Sequence, residues 1–285
     1  MNPEISSFAS ADAGLQLHRC DWPAEGAARG AVLVVHGLGE HIGRYDALAS
    51  RLAARGWHVA GFDQRGHGQS DGARGAIGQP DALLRDVSRV IDALRQEHSG
   101  PLILLGHSMG GLIAARFVAE GLRPGPATWA RTVDGLVLSS PALDTGMNAA
   151  QRALLALLGP VAPGLAVSNG LKPDWISRDP AVVAAYVADP LVHDRITPRL
   201  ARFIVDGGRV TLPLAARWAM PTLLLWAGSD RCVAPAGSRA FADAAPQSVV
   251  QSHCFEPLFH EIFNEPEKDK VFAVLDAWLA QRAGQ

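Results

Sequence analysis

The pentapeptide Gly106-His107-Ser108-Met109-Gly110 constrains this chain more than any other feature, because of what flanks it. The apolar run Leu102–Leu105 leads straight into it, and Met109–Glu120 reads as a helix behind it. G-x-S-x-G in a strand–turn–helix setting is a sharp turn that lifts the serine above the carboxyl end of a sheet. The helix must fold back close to the strand, which leaves no room for side chains at Gly106 and Gly110. The residue at the tip is held in a strained backbone conformation. Ser108 is therefore the candidate nucleophile. The Met109 N–H, at a helix N-terminus, would point to where an oxyanion forms.

The rest of the chain fits that setting. Short β-rich runs alternate with helical patterns, which predicts an α/β fold: a mostly parallel central sheet with helices on both faces. The strands are Ala31–Val35, His58–Phe62, Leu102–Leu105, Gly135–Ser139 and Thr222–Trp226. The helices are Arg44–Arg55, ending before Gly56, then Asp81–Glu97, Met109–Glu120, Ala236–Ala244 and Glu267–Ala280. Leu84, Val87, Ile91 and Leu94 mark the inner face of the second helix. The stretch up to Trp22 is expected to add an antiparallel hairpin. From Asp144 to Ala216 the alternation breaks into short Ala-, Leu- and Pro-rich helical pieces with no strand. This predicts a core of residues 1–143 and 217–285 and a helical cap insertion at 144–216, which 285 residues can supply.

A serine needs a base, and the base needs a carboxylate to orient it. In this kind of fold the order is serine, acid, histidine. Asp230 follows the strand Thr222–Trp226, on the same sheet edge as Ser108. His260 comes next, with room for one strand and one helix between them. His253 is a rival base, but it falls within or beside the last predicted strand. HEIFN at 260–264 lacks the second histidine of a zinc motif.

The loop His36-Gly37-Leu38-Gly39 follows the first parallel strand, and the Leu38 N–H is the candidate second oxyanion donor. His36 is expected to shape that loop. A dinucleotide site is the competing reading, since Gly37, Gly39 and Gly43 precede a helix and Asp63 ends the next strand. The displaced third glycine counts against it, and it leaves the Ser108 turn unexplained.

Other classes fall away on composition. Hydrophobic residues are 48% and charged residues 19%, as in a packed globular chain. A net charge of -2 argues against nucleic acid as a partner. Cys20, Cys232 and Cys254 form no CxxC pair, so neither a disulfide framework nor a structural zinc site is expected. MNPEISSFASADAG has no basic start followed by an apolar stretch, and no apolar run approaches the roughly 20 residues of a bilayer span. A cytoplasmic protein is the default expectation. Nothing in the sequence fixes an oligomeric state.

Several segments together resemble the monoacylglycerol lipase and lysophospholipase branch of the α/β-hydrolase superfamily. They are HGLGEHIGRY (36–45), FDQRGHGQSDG (62–72), GHSMGG (106–111), LSSPAL (138–143), GSDRCVAP (228–235) and HEIFNE (260–265). The resemblance implies a catalytic triad of Ser108, Asp230 and His260 and an oxyanion hole from the Leu38 and Met109 N–H groups. It implies no metal and no organic cofactor. Asp63, Arg65 and His67 are expected to shape a loop, and Glu40, His41 and Arg44 to line the entrance or serve packing and surface roles. Ser177–Pro180 and Asp189–Val192 are similar to the family's cap. Glu256-Pro257-Leu258-Phe259 departs from the Gly-Leu-Tyr that bacterial relatives often carry before the histidine, and its proline stiffens that loop.

The implied reaction is cleavage of a carboxylic ester, monoacylglycerols first, with lysophospholipids and simple esters as alternatives. Cofactor-free haloperoxidase, aminopeptidase and silent binding protein are further readings of the same fold. Ala153–Val167 is apolar throughout. It reads either as a helix buried on the core or as a cap face that takes an acyl chain or touches a membrane surface transiently.

Overall fold

A computed structural model of the chain describes residues 3–12 and 14–282. The outermost residues of the two expected core segments, and Ala13, lie outside it. The elements in chain order are β1 (Glu4–Ala9), β2 (Gln16–Trp22), β3 (Ala31–Val35), α1 (Asp46–Ala53), β4 (His58–Phe62), α2 (Ala82–Glu97), β5 (Leu102–His107), α3 (Met109–Glu120) and β6 (Gly135–Ser139). There follow α4 (Ala149–Val161), β7 (Val167–Ser168), α5 (Pro180–Ala188), β8 (Arg195–Ile196), α6 (Pro198–Thr211), β9 (Thr222–Ala227), α7 (Pro235–Ala244), β10 (Val250–Phe255) and α8 (Lys268–Ala280).

Eight strands form one sheet in the order β1-β2-β4-β3-β5-β6-β9-β10. β1, β2 and β4 pair antiparallel, as the hairpin expectation required, and the remaining pairs are parallel. Every residue of β3, β4, β5, β6 and β9 is buried. Strands covered on both faces read as continuous apolar runs, which is why they were legible. Successive residues point to opposite faces. Leu33, Leu104 and Leu138 join α2, α3 and α6 in one core layer, and Val34, Leu105 and Val137 join α1 and α8 in the other.

The register places the site. Val35 pairs with Gly106, His107 with Ser139, Ser139 with Leu225, and Phe255 with Ala227. The carboxyl ends of β3, β5, β6, β9 and β10 therefore share one edge. The loops that follow them carry Leu38, Ser108, Asp230 and His260.

Three expectations change in detail. The helix expected at 44–55 begins as a 3-10 turn over Ile42–Tyr45, and α1 ends before Gly56, whose φ of +82° suits glycine. The segment 144–216 does contain strands: β7 and β8 pair antiparallel over two residues each, too short to show a period-two pattern. Finally, the apolar stretch 153–167 is not a buried core helix. α4 runs through Pro160 and has no buried residue, with Leu154, Leu157 and Val161 at 55%, 67% and 79% exposure. α5 likewise has no buried residue, whereas α6 puts Leu200 and Ile204 into the core beside α3.

Candidate active site

Ser108 sits between β5 and α3 with φ 54° and ψ −120°, a conformation L-residues adopt only under constraint. The constraint is visible on both sides. The Ser108 N–H donates to the Ser139 carbonyl at 2.9 Å, and its carbonyl accepts from Leu112 and Ala142 at 3.0 Å each. A Cβ at Gly106 would strike the Gly110 carbonyl, and one at Gly110 would strike the carbonyls of Val35 and His36. The two glycines of the motif are thus spatial requirements.

The structure brings Ser108, His260 and Asp230 into one chain of hydrogen bonds. His260 Nε2 lies 2.8 Å from Ser108 Oγ, and His260 Nδ1 lies 2.7 Å from Asp230 Oδ2. A carboxylate can only accept, so the ring proton sits on Nδ1 and the Nε2 lone pair faces the serine hydroxyl. Asp230 Oδ1 accepts from the N–H groups of Cys232 at 2.8 Å and Val233 at 3.1 Å, which fixes the carboxylate. Burial alone would lower the His260 pKa. The charge and hydrogen bond of Asp230, with Glu261 and Glu40 nearby, outweigh it, and the net shift is upward. His253 lies within β10 opposite Leu225, its ring against Gln251 at 2.8 Å, and takes no part in the chain.

The glycine loop after β3 reaches the same point. A Cβ built on Gly37 would lie 3.1 Å from Ser108 Cβ, and Leu38 lines the cleft with Ser108 and His260. Met109 is the first residue of α3, where the N–H groups have no intrahelical acceptor. His36 accepts the Gln64 N–H on Nε2 at 2.9 Å and donates from Nδ1 to the Gly37 carbonyl at 2.8 Å. Burial lowers its pKa, consistent with a neutral ring that shapes the loop. Asp63 is fully buried and accepts from Ile42 N at 2.7 Å and Gln69 N at 2.8 Å, so it offers nothing to a ribose. Arg65 is bound to Asp86, Ser10 and Asp12, and His67 Nδ1 meets the Arg65 carbonyl at 3.0 Å.

Glu40 and Arg44 do not serve at the surface. Glu40 accepts from Gly37 N at 2.5 Å, Tyr45 Oη at 2.7 Å and Arg44 Nη1 at 2.8 Å. Arg44 in turn grips Glu261 bidentately at 2.6 and 2.8 Å. Burial would raise the Glu40 pKa, but Arg44 and its other neighbours hold it down at about 2. This buried strut ties the Gly37–Leu38 loop to the residue after His260. Sequence reasoning missed it, together with His107. Burial and the neighbouring His260 lower the His107 pKa to about 3, so that ring is neutral and unfit as a base. It packs 4.7 Å from the His260 ring and meets Ser139 Oγ at 3.0 Å.

The segment between β6 and β9 is tied down over the serine. His41 donates to Asp189 at 2.8 Å, the His193 N–H to the Gly39 carbonyl at 2.8 Å, and the Thr197 N–H to Gly75 at 2.9 Å. The Arg44 guanidinium stacks on the Tyr186 ring at 4.7 Å. Glu265 of HEIFNE accepts from Ser177 Oγ, Arg178 N, Arg178 Nε and the Phe259 N–H at 2.6–2.9 Å, so one carboxylate joins the Ser177–Arg178 segment to the histidine loop. The cleft above Ser108 has only about 30 Å³ of free volume, the room of one or two waters. One ligand atom each from Asp230, Cys232 and His260 lie within 4.8 Å of one another, close enough to share a metal ion.

The Hydrolase_4 family, described as serine aminopeptidase S33, matches residues 26–267. A monoacylglycerol lipase of Mycolicibacterium smegmatis is 36% identical over 262 residues, covering 90% of each chain. Phospholipase YtpA of Bacillus subtilis is 31% identical over 253 residues, covering 88% of this chain and 95% of its own. The crystal structure of Paleococcus ferrophilus monoacylglycerol lipase superposes with a TM-score of 0.81 at 35% identity, covering 93% of this chain and 99% of that one. The sheet and its helices have the α/β-hydrolase arrangement common to such structures.

Proposed function

The chain belongs to the Hydrolase_4 family and is a carboxylic ester hydrolase, and on that premise we propose that it hydrolyses monoacylglycerols through Ser108, His260 and Asp230. The observation that carries this reading is the unbroken hydrogen-bond chain from Ser108 Oγ through His260 to Asp230, at 2.8 and 2.7 Å. Ser108 Oγ attacks the ester carbonyl as His260 Nε2 takes its proton. Asp230 stabilises the imidazolium that results. The Leu38 and Met109 N–H groups receive the oxyanion, a contribution worth ~10²–10³ in rate per donor. His260 then protonates the leaving alcohol. A water activated by the same ring releases the fatty acid and frees the serine.

One feature supports a lipid ester. The segment at 144–216 acts as the cap, and its α4 presents Leu154, Leu157 and Val161 outward, with Leu165 exposed just beyond its end, as a helix resting on a lipid surface would. A drug-sized ligand needs ~300 Å³ or more. The cap must therefore swing away from Ser108 to admit an acyl chain. An aminopeptidase reading lacks support, because the acids near Ser108 that could hold a substrate ammonium, Glu40 and Glu261, are already paired with Arg44.

The test is a product assay on mono-, di- and triacylglycerols, lysophospholipid and short esters. Monoacylglycerol should give the highest kcat/KM, and Ser108→Ala should abolish both turnover and fluorophosphonate labelling while the chain stays folded. A preference for lysophospholipid would refute the substrate assignment, and labelling of Ser108→Ala would refute the nucleophile.

A further inference from the structure

The proposed mechanism leaves Cys232 unused. This free thiol lines the cleft together with Ser108 and His260. Its own N–H donates to Asp230 Oδ1 at 2.8 Å, so the carboxylate that orients His260 also fixes the cysteine backbone. Ligand atoms of Asp230, Cys232 and His260 all lie within 4.8 Å of one another. A tetrahedral zinc ion, with bonds of ~2.0–2.3 Å, sets its ligands roughly 3.3–3.8 Å apart. Binding therefore requires side-chain rotation to draw the three ligands together.

The donor set selects the ion. One thiolate, one imidazole and one carboxylate suit zinc and its thiophilic neighbours, and disfavour calcium and magnesium, which take oxygen ligands. The two anionic ligands balance the charge of a divalent ion, and three protein ligands leave a fourth position for water. We propose that Asp230, Cys232 and His260 form an inhibitory site for zinc or a similar thiophilic divalent cation. On binding, the Cys232 thiol gives its proton to solvent and its sulfur bonds the metal. If His260 Nε2 takes the metal it gives up its hydrogen bond to Ser108; if Nδ1 takes it, the ring proton moves to Nε2 and the hydrogen bond to Asp230 is lost. Either loss removes the base from service, and withdrawing the ion restores it. The effect on turnover rests on the assignment of His260 as base; the binding itself does not.

The experiment keeps those two apart by using the full chain with Zn²⁺ in a turnover assay on a soluble short ester, and with Co²⁺ in an absorption titration. Zn²⁺ should suppress turnover and a chelator should restore it. In Cys232→Ser, compared with its own metal-free rate, the half-inhibiting zinc concentration should rise at least ~10-fold, since even partners outside the first ring of ligands change metal affinity by that much. Cys254→Ser should leave zinc sensitivity unchanged. Co²⁺ added to the Ser108→Ala protein should give a thiolate-to-metal charge-transfer band that both Cys232→Ser and Cys232→Ala lack, the second variant serving if the first does not fold. Equal zinc sensitivity with and without Cys232, or no thiolate band, would overturn the site. A thiolate band with undiminished turnover would overturn its inhibitory role, and with it His260 as the base.

Discussion

Replacing Glu40 by alanine tests whether the buried strut holds the oxyanion loop. The side chains of Glu40 and Arg44 are 6% and 11% exposed. The substitution strips an acceptor from Gly37 N, Tyr45 Oη and Arg44 Nη1 at once. Breaking a buried ion pair costs about 3–5 kcal/mol, and Arg44 keeps its bidentate grip on Glu261, so the lower end applies, about 3 kcal/mol. The pKa gives a second route to the same size. A carboxylate held at about 2 instead of 4.5 contributes about 3 kcal/mol at neutral pH. The sign follows from the depression: the contribution is present above pH 4.5 and is lost as pH falls toward 2. Thermal unfolding at pH 7 should drop by roughly 6 °C or more, and part of the wild-type loss of stability below pH 4.5 should vanish. Turnover reports on position. With the Gly37 N–H unanchored, the Leu38 N–H loses its aim, and kcat should fall about tenfold with little change in KM. Glu40→Gln keeps acceptors without charge and should recover most of kcat. An alanine variant within about 1 kcal/mol and twofold of wild type in stability and kcat would refute the strut.

Further outcomes follow for the histidine and for α4. The pKa of His260 is raised, and the base must be neutral, so the acid limb of kcat/KM should titrate above 6.5. Stability should run the other way: the raised pKa adds stability that is complete below 6.5 and is lost as pH rises through the folded value. In Asp230→Asn the acid limb should move down and kcat should fall ~10⁴-fold in a pH-rate series. On α4, Leu157→Ser combined with Val161→Ser should weaken partition onto lipid vesicles at least ~10-fold in a sedimentation assay, while hydrolysis of a soluble short ester stays unchanged. Equal vesicle binding would remove α4 as the contact face.

How much of this was legible depends on where each signal lies in the chain. The β5–Ser108–α3 turn is a local object. Its apolar strand, glycines and helix are contiguous, and steric limits at Gly106 and Gly110 act between near neighbours and the adjoining β3 end. Asp230 could be placed because it follows a recognisable strand on a known edge, and His260 because the order serine, acid, histidine left room for one strand and one helix before it. The Glu40–Arg44–Glu261 strut could not, since Arg44 and Glu261 are 217 residues apart and no local pattern states which acid meets which base. His107 was hidden inside the motif itself, where its role depends on the ring of His260 packing beside it. The state of α4 was equally out of reach. An apolar helix looks the same in sequence whether it is packed on a core or left bare, because burial depends on neighbours the segment does not encode.

That difference between the buried core and the bare α4 and α5 bears on the proposed mechanism. The groups that would do the chemistry hang from the carboxyl edge of the sheet, where β3, β5, β9 and β10 are locked in register and their positions are stiff. The α5 stretch of the 144–216 segment, by contrast, has no buried residue and is held by polar ties: His41 to Asp189, His193 to Gly39, Arg44 to Tyr186 and Glu265 to the Ser177–Arg178 pair. Individual polar ties are worth about 0.5–1.5 kcal/mol net, far less than the packed core beneath them. The ties also differ in placement. Those at Glu265 anchor the start of α5 close to His260, while those at Asp189 and His193 lie at its far end, next to the oxyanion loop. A cap released at Asp189 and His193 but pinned at Glu265 would hinge away from Leu38 and open a path to Ser108 without disturbing His260. On the proposed function, that hinge would open the oxyanion side and keep His260 in place, as repeated entry of an acyl chain requires.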